Sequence, residues 1–466
     1  MPDWSLPRMG ELRGGIARNP LGQHSQPPTL RSGVVWLLLS QFLTPVLQFG
    51  QLIVLTLYLT PQDLGSWALP VAIFGIAAII FEVALPAAVV SQRRMDSSLA
   101  TRWGLTIGLL IALISLLGWA TGTRGSLILL GMVPVIALLA RNVQSRAQLT
   151  INRRFPTLAW TELFSACVSV LVAISCGAGG LGPWSLLVAL LVRQAMITSL
   201  QSSAAKKMDG LRPGSIAGCS LVWFYGVNYL GLNLDYLYAG RELAIGDAGI
   251  YFVAFNVSTV VALKVITVAN RVALPTLTDS TVPHERYRAF LWIASTGVLA
   301  VTAVAAAVVS VLEWRVLGSW ADLEVPVGWL LVGSVGLAMS TVCSTIVIAR
   351  SRRGLLSGLA MTDVAISITV LTWISPSSAD DLARTMALLL TTRGVLWSLA
   401  TMVIARVPGL AQSMARCLAL WCGCCVLLAP GVVTAPSAAA IGGGALWIMR
   451  ASLIRRRSLT LEGDSA

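Results

Sequence analysis

Two arginines lie at similar depth inside long apolar segments, and their position suggests a site for an anion. Arg193 and Arg393 each fall about 10 residues, or roughly 15 Å, into a segment that is long enough to cross a bilayer. An ionisable side chain at that depth is costly and marks a functional site by default. If both faced one cavity, each guanidinium would donate paired hydrogen bonds to phosphate oxygens. In the alternative, each arginine pairs with helix carbonyls or with a carboxylate in its own group of helices.

Three further charged residues suggest contributions to binding and gating. Lys264 lies deep in its apolar segment, where it would act as a cavity cation or snorkel to the interface. Glu82 and Arg271 immediately precede two copies of the sequence Val-Ala-Leu-Pro, so they are equivalent positions of opposite charge. We predict an ion pair between Glu82 and Arg271 that closes an inner gate. The alternative is that Glu82 is neutralised locally by Arg93, Arg94 or Arg102.

Two aspartates are candidates for coupling transport to a proton or cation, because they also lie in apolar segments. Asp235 is near one end of its segment and close to Arg241, so local pairing or hydration is the simpler expectation. Asp363 and its counterpart Glu162 are expected to balance nearby basic residues, namely Arg153, Arg154, Arg352 and Arg353. Tryptophans near predicted segment ends are expected to anchor the interface; they are Trp36, Trp67, Trp184, Trp320 and Trp329.

The composition indicates an all-α polytopic membrane protein that positions these residues on transmembrane helices. The 466 residues are 56% hydrophobic and only 11% charged, with a mean hydropathy of +0.79. Apolar runs of about 20 residues match helical spans, whereas the short alternating segments of a barrel do not appear. We count about fourteen spans. The eight cysteines lie in or at the edges of apolar segments. Their cluster, Cys417, Cys422, Cys424 and Cys425, has no neighbouring His, Asp or Glu to complete a metal site, and no cofactor is expected.

The distribution of basic residues predicts the orientation of the spans. Alternate connections and the two tails carry 26 of the 33 lysines and arginines, whereas the opposite connections carry Arg124, Arg241, Arg315 and Arg384. Since basic connections stay on the cytoplasmic side, both termini are predicted to be cytoplasmic. The net charge of +13 is therefore interpreted as a determinant of topology, and nucleic acid is not expected as a partner.

The sequence contains an internal repeat. Besides the two Val-Ala-Leu-Pro copies, Asp63-Leu-Gly65 recurs as Asp247-Ala-Gly249, and Arg193 recurs as Arg393. Six spans per repeat is an even number, so the two six-helix bundles are predicted to be parallel, related by an axis along the membrane normal. The predicted organisation is a mobile cytoplasmic tail at 1–33, bundles at 34–204 and 215–405 joined by a cytoplasmic linker at 205–214, two additional helices at 406–454 and a tail at 455–466.

Three stretches give the chain a resemblance to a known family. They are Leu59-Thr-Pro-Gln-Asp-Leu-Gly65, then Phe155 to Leu163 with Gly182-Pro-Trp-Ser-Leu186 beyond it, and finally Asn233-Leu-Asp235 with Gly240-Arg241 and Gly249-Ile-Tyr251. In their order and spacing they resemble the Wzx-type oligosaccharide flippases of the multidrug/oligosaccharidyl-lipid/polysaccharide exporter superfamily. Glu82 departs from the small apolar residues that related proteins often have near this position.

The resemblance implies a central cavity between two bundles, and alternating access that moves a polyprenyl-diphosphate-linked oligosaccharide across the cytoplasmic membrane of a bacterium. It also implies surface-polysaccharide assembly, with a polymerase and glycosyltransferases as possible partners besides membrane lipid. Rival functions are a drug or cation exporter and a lipid II flippase of the same superfamily. A membrane glycosyltransferase or polymerase fits less well, because no connection exceeds about 20 residues and the chain has two histidines. No GxxxxGK[ST] run supports ATP-driven transport.

Overall fold

The computed structural model describes a helical protein, and its described residues contain no strand. These residues are 30–86, 89, 97–123, 125–152, 154–205, 219–260, 266, 284–313, 318–349, 353–405 and 412–417. The predicted final helices at 406–454 therefore lie almost entirely outside the described residues, as do both tails. The all-α architecture predicted from composition is confirmed.

The first repeat forms one bundle of helices. Its elements are α1 (Leu30–Leu55), α2 (Pro61–Gly65), α3 (Ala68–Ile79), a π-helical turn (Ile80–Ala84), α4 (Ser97–Ala120), α5 (Ser126–Gly131), α6 (Val133–Ile151), α7 (Phe155–Ala178) and α8 (Trp184–Ala205). Within this bundle α7 packs on α1 and α8, and α6 packs on α4 and α8.

The second repeat forms the other bundle. Its elements are α9 (Cys219–Glu242), α10 (Ile245–Phe255), a π-helical turn (Asn256–Val260), α11 (His284–Glu313), a 3-10 turn (Gly318–Leu323), α12 (Glu324–Ala349), α13 (Arg353–Ile374) and α14 (Ala379–Ala405). The helices α12 and α14 pack tightly because Gly333 and Gly336 face the backbone of Ala387 and Leu390 without a side chain between them.

Eight described segments are long and apolar enough to cross a membrane, and their bounds follow the predicted runs. They are Pro61–Ala84, Ala100–Ala120, Ser126–Ile151, Phe155–Ala178, Trp184–Ala205, Glu324–Val347, Ser357–Ile374 and Ala379–Ile404. The chain is a multi-pass membrane protein. The predicted count of about fourteen spans stays a prediction, because some of the spans fall on residues outside the description.

The repeated turn has a local explanation in its first copy. Thr60 is the N-cap of α2, and its hydroxyl oxygen accepts from the backbone N–H of Asp63 at 3.3 Å. The Asp63 carboxylate in turn accepts from the backbone N–H of Thr60 at 3.0 Å, which completes a capping box. In the second copy Ala244 takes the N-cap position of α10 and makes no side-chain cap. The motif is therefore shared by both halves, but its capping chemistry is not.

The two halves meet where the repeated glycines cross. A β-carbon placed on Gly65 would lie 1.8 Å from the carbonyl oxygen of Ile245, and one on Gly249 would lie 1.8 Å from that of Pro61. The two contacts mirror each other, because Gly65 corresponds to Gly249 and Pro61 to Ile245. Such an approach of backbone to backbone is open to glycine alone. We call this contact between α2 and α10 the glycine crossing.

Candidate functional site

A central cavity of about 500 Å³ lies between the halves, and most of its wall comes from the first bundle. Trp67 lies at one end of its lining, two residues after Gly65. Glu82 lines it 15 residues further along, which corresponds to roughly 22 Å of helix. The glycine crossing therefore brings the halves together at the end of the cavity marked by Trp67. By the predicted orientation this is the outer end.

Arg193 reaches this cavity from α8. Its side chain is half-buried, and its Nε is buried without a hydrogen-bond partner. No ion pair to Arg193 occurs among the described residues. A buried guanidinium N–H without a partner is costly. Since Arg193 also lines the cavity, its guanidinium is a positive group in the wall that no carboxylate of the described residues pairs with.

Glu162 corresponds to Asp363 in the repeat, so it is the carboxylate expected near Arg193, but it binds a different arginine. Glu162 on α7 accepts from Arg146 Nη2 on α6 at 2.7 Å. That Glu162 also balances Arg154 stays a prediction, and Arg153 lies outside the described residues. Arg146 reaches Glu162 because both side chains project into the packing between neighbouring helices. Arg193 is left without that carboxylate.

Arg393, the counterpart of Arg193, has a different environment. Its Nε lies 3.3 Å from Asp363 Oδ2, and its Nη2 donates to Asn228 Oδ1 at 3.1 Å. The indole Nε1 of Trp397 donates to the same Asp363 oxygen at 2.6 Å. This network joins α9, α13 and α14 in the interior of the second bundle. Arg393 therefore pairs with a carboxylate of its own bundle, which was the alternative to a shared anion site.

Asp363 pairs with an arginine that was not among its predicted partners. This partner is Arg393, which is buried in the same bundle, while Arg352 and the side chain of Arg353 lie outside the description. Arg393 lines a separate small pocket with Asp363. The structure therefore does not bring Arg193 and Arg393 together in one cavity. A clamp formed by both arginines stays a prediction.

Glu82 lies in the π-helical turn that follows α3, and its exposed side chain lines the central cavity. It also interacts electrostatically with Arg146. Single π-helical turns often occur at functional sites. Arg271 and Lys264 lie outside the described residues. The gate formed by Glu82 and Arg271, and the role of Lys264 in binding, stay predictions.

Asp235 on α9 is fully buried, in contrast to the hydrated position expected near the end of a span. Its Oδ2 accepts from the hydroxyl of Tyr251 at 2.6 Å, and its Oδ1 has no partner. The expected partner Arg241 instead lies 3.1 Å from Glu242, on the surface. Asp235 therefore joins α9 to α10 through Tyr251, and its role in ion coupling stays a prediction.

The sequence did not predict five uncharged polar residues in the cavity wall. They are Gln48, Gln51, Ser169, Tyr229 and Asn256. Gln48 and Gln51 are three residues apart and so share one face of α1. Asn256 begins the second π-helical turn and donates to the hydroxyl of Tyr236 at 2.9 Å. An amide side chain inside an apolar span could have indicated a binding site in the sequence, because it requires a hydrogen-bond partner there.

Two of the tryptophans predicted to be interface anchors are buried in the protein. The indole Nε1 of Trp67 donates to the carbonyl of Pro183 at 2.8 Å, and that of Trp320 donates to the carbonyl of Thr56 at 3.1 Å. The second bond joins the second repeat to the first. These side chains fix contacts inside the protein, and Trp67 also lines the cavity.

Comparison with known proteins assigns this architecture. A family model described as polysaccharide biosynthesis protein matches residues 54–313, which is more than half of the chain. The chain belongs to the polysaccharide biosynthesis protein family. No curated protein sequence matches it. The resemblance found in the repeated motifs is thereby confirmed at the level of the family.

Solved structures agree with this family assignment in their fold. The lipid II flippase MurJ in an inward closed conformation superposes with a TM-score of 0.65 at 12% identity, over 91% of this chain and 100% of MurJ. The MATE multidrug transporter DinF-BH superposes with a TM-score of 0.50 at 13% identity, over 84% of this chain and 98% of that one. This polysaccharide biosynthesis protein therefore shares its fold with these two transporters.

Proposed function

We propose that this protein is a transporter that flips a polyprenyl-diphosphate-linked oligosaccharide across the bacterial cytoplasmic membrane for surface-polysaccharide assembly. The observation that carries the proposal is the guanidinium of Arg193, which lines a cavity between two bundles and pairs with no carboxylate of the described residues. A phosphate oxygen satisfies a guanidinium donor and its charge together. An anionic lipid-linked cargo therefore fits the site.

Three amide side chains in the cavity wall suit a sugar. The amides of Gln48, Gln51 and Asn256 both donate and accept hydrogen bonds. Sugar hydroxyls have the same double capacity, and they need such partners when they leave water. Arg193 in this proposal binds the diphosphate, and the amides bind the sugars next to it.

The charge of Glu82 restricts where the phosphate groups of the cargo can lie in the cavity. Its carboxylate lines the same wall as Arg193 and would repel a phosphate placed beside it. We therefore assign the diphosphate to the Arg193 side. The Glu82 side would receive hydroxyl groups, which donate to a carboxylate.

The test measures flipping in inverted and right-side-out membrane vesicles from a strain that lacks the gene. The lipid-linked oligosaccharide that accumulates in this strain serves as cargo, and its exposure on each leaflet is followed with an enzyme that cannot cross the membrane. Arg193→Gln should lower the initial rate at least about tenfold, because it removes a charge-assisted hydrogen bond of roughly 1.5–3 kcal/mol. Arg193→Lys should retain part of the rate.

Arg102→Gln is the matched control, because Arg102 is exposed on α4 and does not line the cavity. It should flip cargo at the wild-type rate. Wild-type flipping by Arg193→Gln at equal protein level would remove the support for the anion site. If the deletion strain accumulates lipid II, the cargo assignment is wrong within the same transport class. Export of a cationic dye with no accumulated lipid would favour a drug exporter.

A further inference from the structure

A second cavity of about 660 Å³ lies on the second bundle. It is formed by the beginning of α12, the end of α13 and the first turns of α14, and it shares no lining residue with the central cavity. We call it the α12–α14 crevice. Its apolar wall includes Val332 and Leu388, and its polar end includes Asp381 and Arg384.

The crevice faces away from the interior of the second bundle. Arg384 and Arg393 are nine residues apart on α14, which places them on opposite sides of the helix at about 100° per residue. Arg393 points inward, where it contacts Asn228 of α9. Leu388, one turn after Arg384, is 61% exposed. An exposed leucine on a membrane-spanning helix contacts lipid chains, so an occupant of the crevice must be compatible with the bilayer.

Arg384 is held in place by an aromatic ring instead of a carboxylate. Its guanidinium carbon lies 5.4 Å from the centroid of the Trp329 ring. No carboxylate of the described residues forms an ion pair with it. Stacking orients the planar guanidinium and leaves its N–H edges available, which is the geometry in which arginine binds a phosphate group.

The surroundings of Arg384 are acidic. Asp381, one turn earlier on α14, lines the same crevice and accepts a weak hydrogen bond of 3.3 Å from the hydroxyl of Ser377. Asp380 beside it interacts electrostatically with Asp322, Asp381 and Asp247, and also with Arg384 itself. This field disfavours an occupant with net negative charge and favours one whose phosphate is accompanied by a positive group.

We propose that the α12–α14 crevice is a binding site for an amino-phospholipid. Arg384 binds the phosphodiester, Asp381 binds the primary ammonium, and an acyl chain lies along Val332 and Leu388. The side chains three residues apart on a helix are about 5–6 Å apart at their β-carbons. This spacing suits a phosphate and an ammonium that are joined by a two-carbon link. The inference is independent of which cargo the central cavity carries.

The test counts lipids retained by the purified full-length protein in native mass spectrometry. Phosphatidylethanolamine, phosphatidylcholine and phosphatidylglycerol with identical acyl chains are titrated separately. Wild type should bind the ethanolamine lipid at least about tenfold more tightly than the other two, since only this lipid has both a phosphodiester and an N–H donor. Asp381→Asn should reduce this preference over the choline lipid, because it removes the carboxylate that accepts a charge-assisted hydrogen bond from the ammonium N–H, which choline lacks.

Arg384→Gln should abolish the tight ethanolamine site, whereas Arg102→Gln should bind like wild type. If Arg384→Gln is poorly folded, Arg384→Lys replaces it; this variant keeps the charge and should lose only part of the affinity. Equal retention of the three lipids by wild type would overturn the proposal, as would preference for phosphatidylglycerol. Unchanged ethanolamine binding in Arg384→Gln would overturn it as well.

Discussion

At the scale of single residues, the pair formed by Asp363 and Arg393 should be required for stability. Both side chains are about 90% buried. Removing one partner leaves the other charge uncompensated in the interior, which typically costs about 3–5 kcal/mol. Asp363→Asn should therefore lower the midpoint of thermal unfolding of the detergent-purified protein strongly. Removing both charges, in Asp363→Asn with Arg393→Gln, should recover most of the loss.

Glu285→Gln is the control for this prediction. Glu285 is exposed and lies 3.9 Å from Arg288 in a surface pair, and such pairs contribute about 0–1 kcal/mol. Its unfolding midpoint should stay close to that of wild type. If Asp363→Asn is as mild as Glu285→Gln, or if the double variant is less stable than either single variant, the pair has no structural role.

The sequence predicted which charges matter better than it predicted their partners. Arg193 and Arg393 occupy equivalent positions, and each has an equivalent carboxylate, Glu162 or Asp363. Their environments differ because Arg146 binds Glu162 in the first bundle, while Asp363 stays with Arg393 in the second. That choice depends on which side chains project into the same packed space. Spacing along the chain does not determine it.

At the scale of helices, the glycine crossing should control closure at the predicted outer end. Gly249→Ala places a methyl group 1.8 Å from the carbonyl oxygen of Pro61, so α2 and α10 must separate. Overpacking of this kind costs about 1–3 kcal/mol. The variant should populate the closed arrangement less and flip cargo more slowly. Closure is measured by disulfide formation between Gln62→Cys and Gly246→Cys; the side-chain nitrogen of Gln62 lies 3.5 Å from a β-carbon placed on Gly246.

Gly50→Ala is the matched control, because a β-carbon there meets nothing within 4 Å. The disulfide should form in this background as in the parent cysteine pair, and about tenfold less in the Gly249→Ala background. Equal amounts of disulfide in both backgrounds would show that the glycine crossing accommodates the methyl group without separation of α2 and α10. The repeat identified Gly65 and Gly249 from the sequence. Their mutual contact was not predictable, because it depends on how the two halves are docked.

At the scale of the whole molecule, composition and the repeat predicted the fold, because both act along the entire chain. Apolar runs determine where helices lie in a bilayer, and their bounds need no knowledge of partners. The cavity wall was less predictable. Gln48, Gln51 and Asn256 are single polar residues in apolar helices, and which of them face one cavity follows only from the packing of both bundles.

The orientation of the molecule gives the last prediction. Thr123 and Ser377 are exposed at helix connections of one side, and Asn152 is exposed at a connection of the other. The connections near Asn152 are basic, so they should face the cytoplasm. After replacement of the native cysteines, a membrane-impermeant maleimide added to intact cells should label Thr123→Cys and Ser377→Cys. It should label Asn152→Cys only after the cells are opened. Labelling of Asn152→Cys in intact cells would show that the orientation is opposite to the predicted one. The glycine crossing would then close the cytoplasmic end.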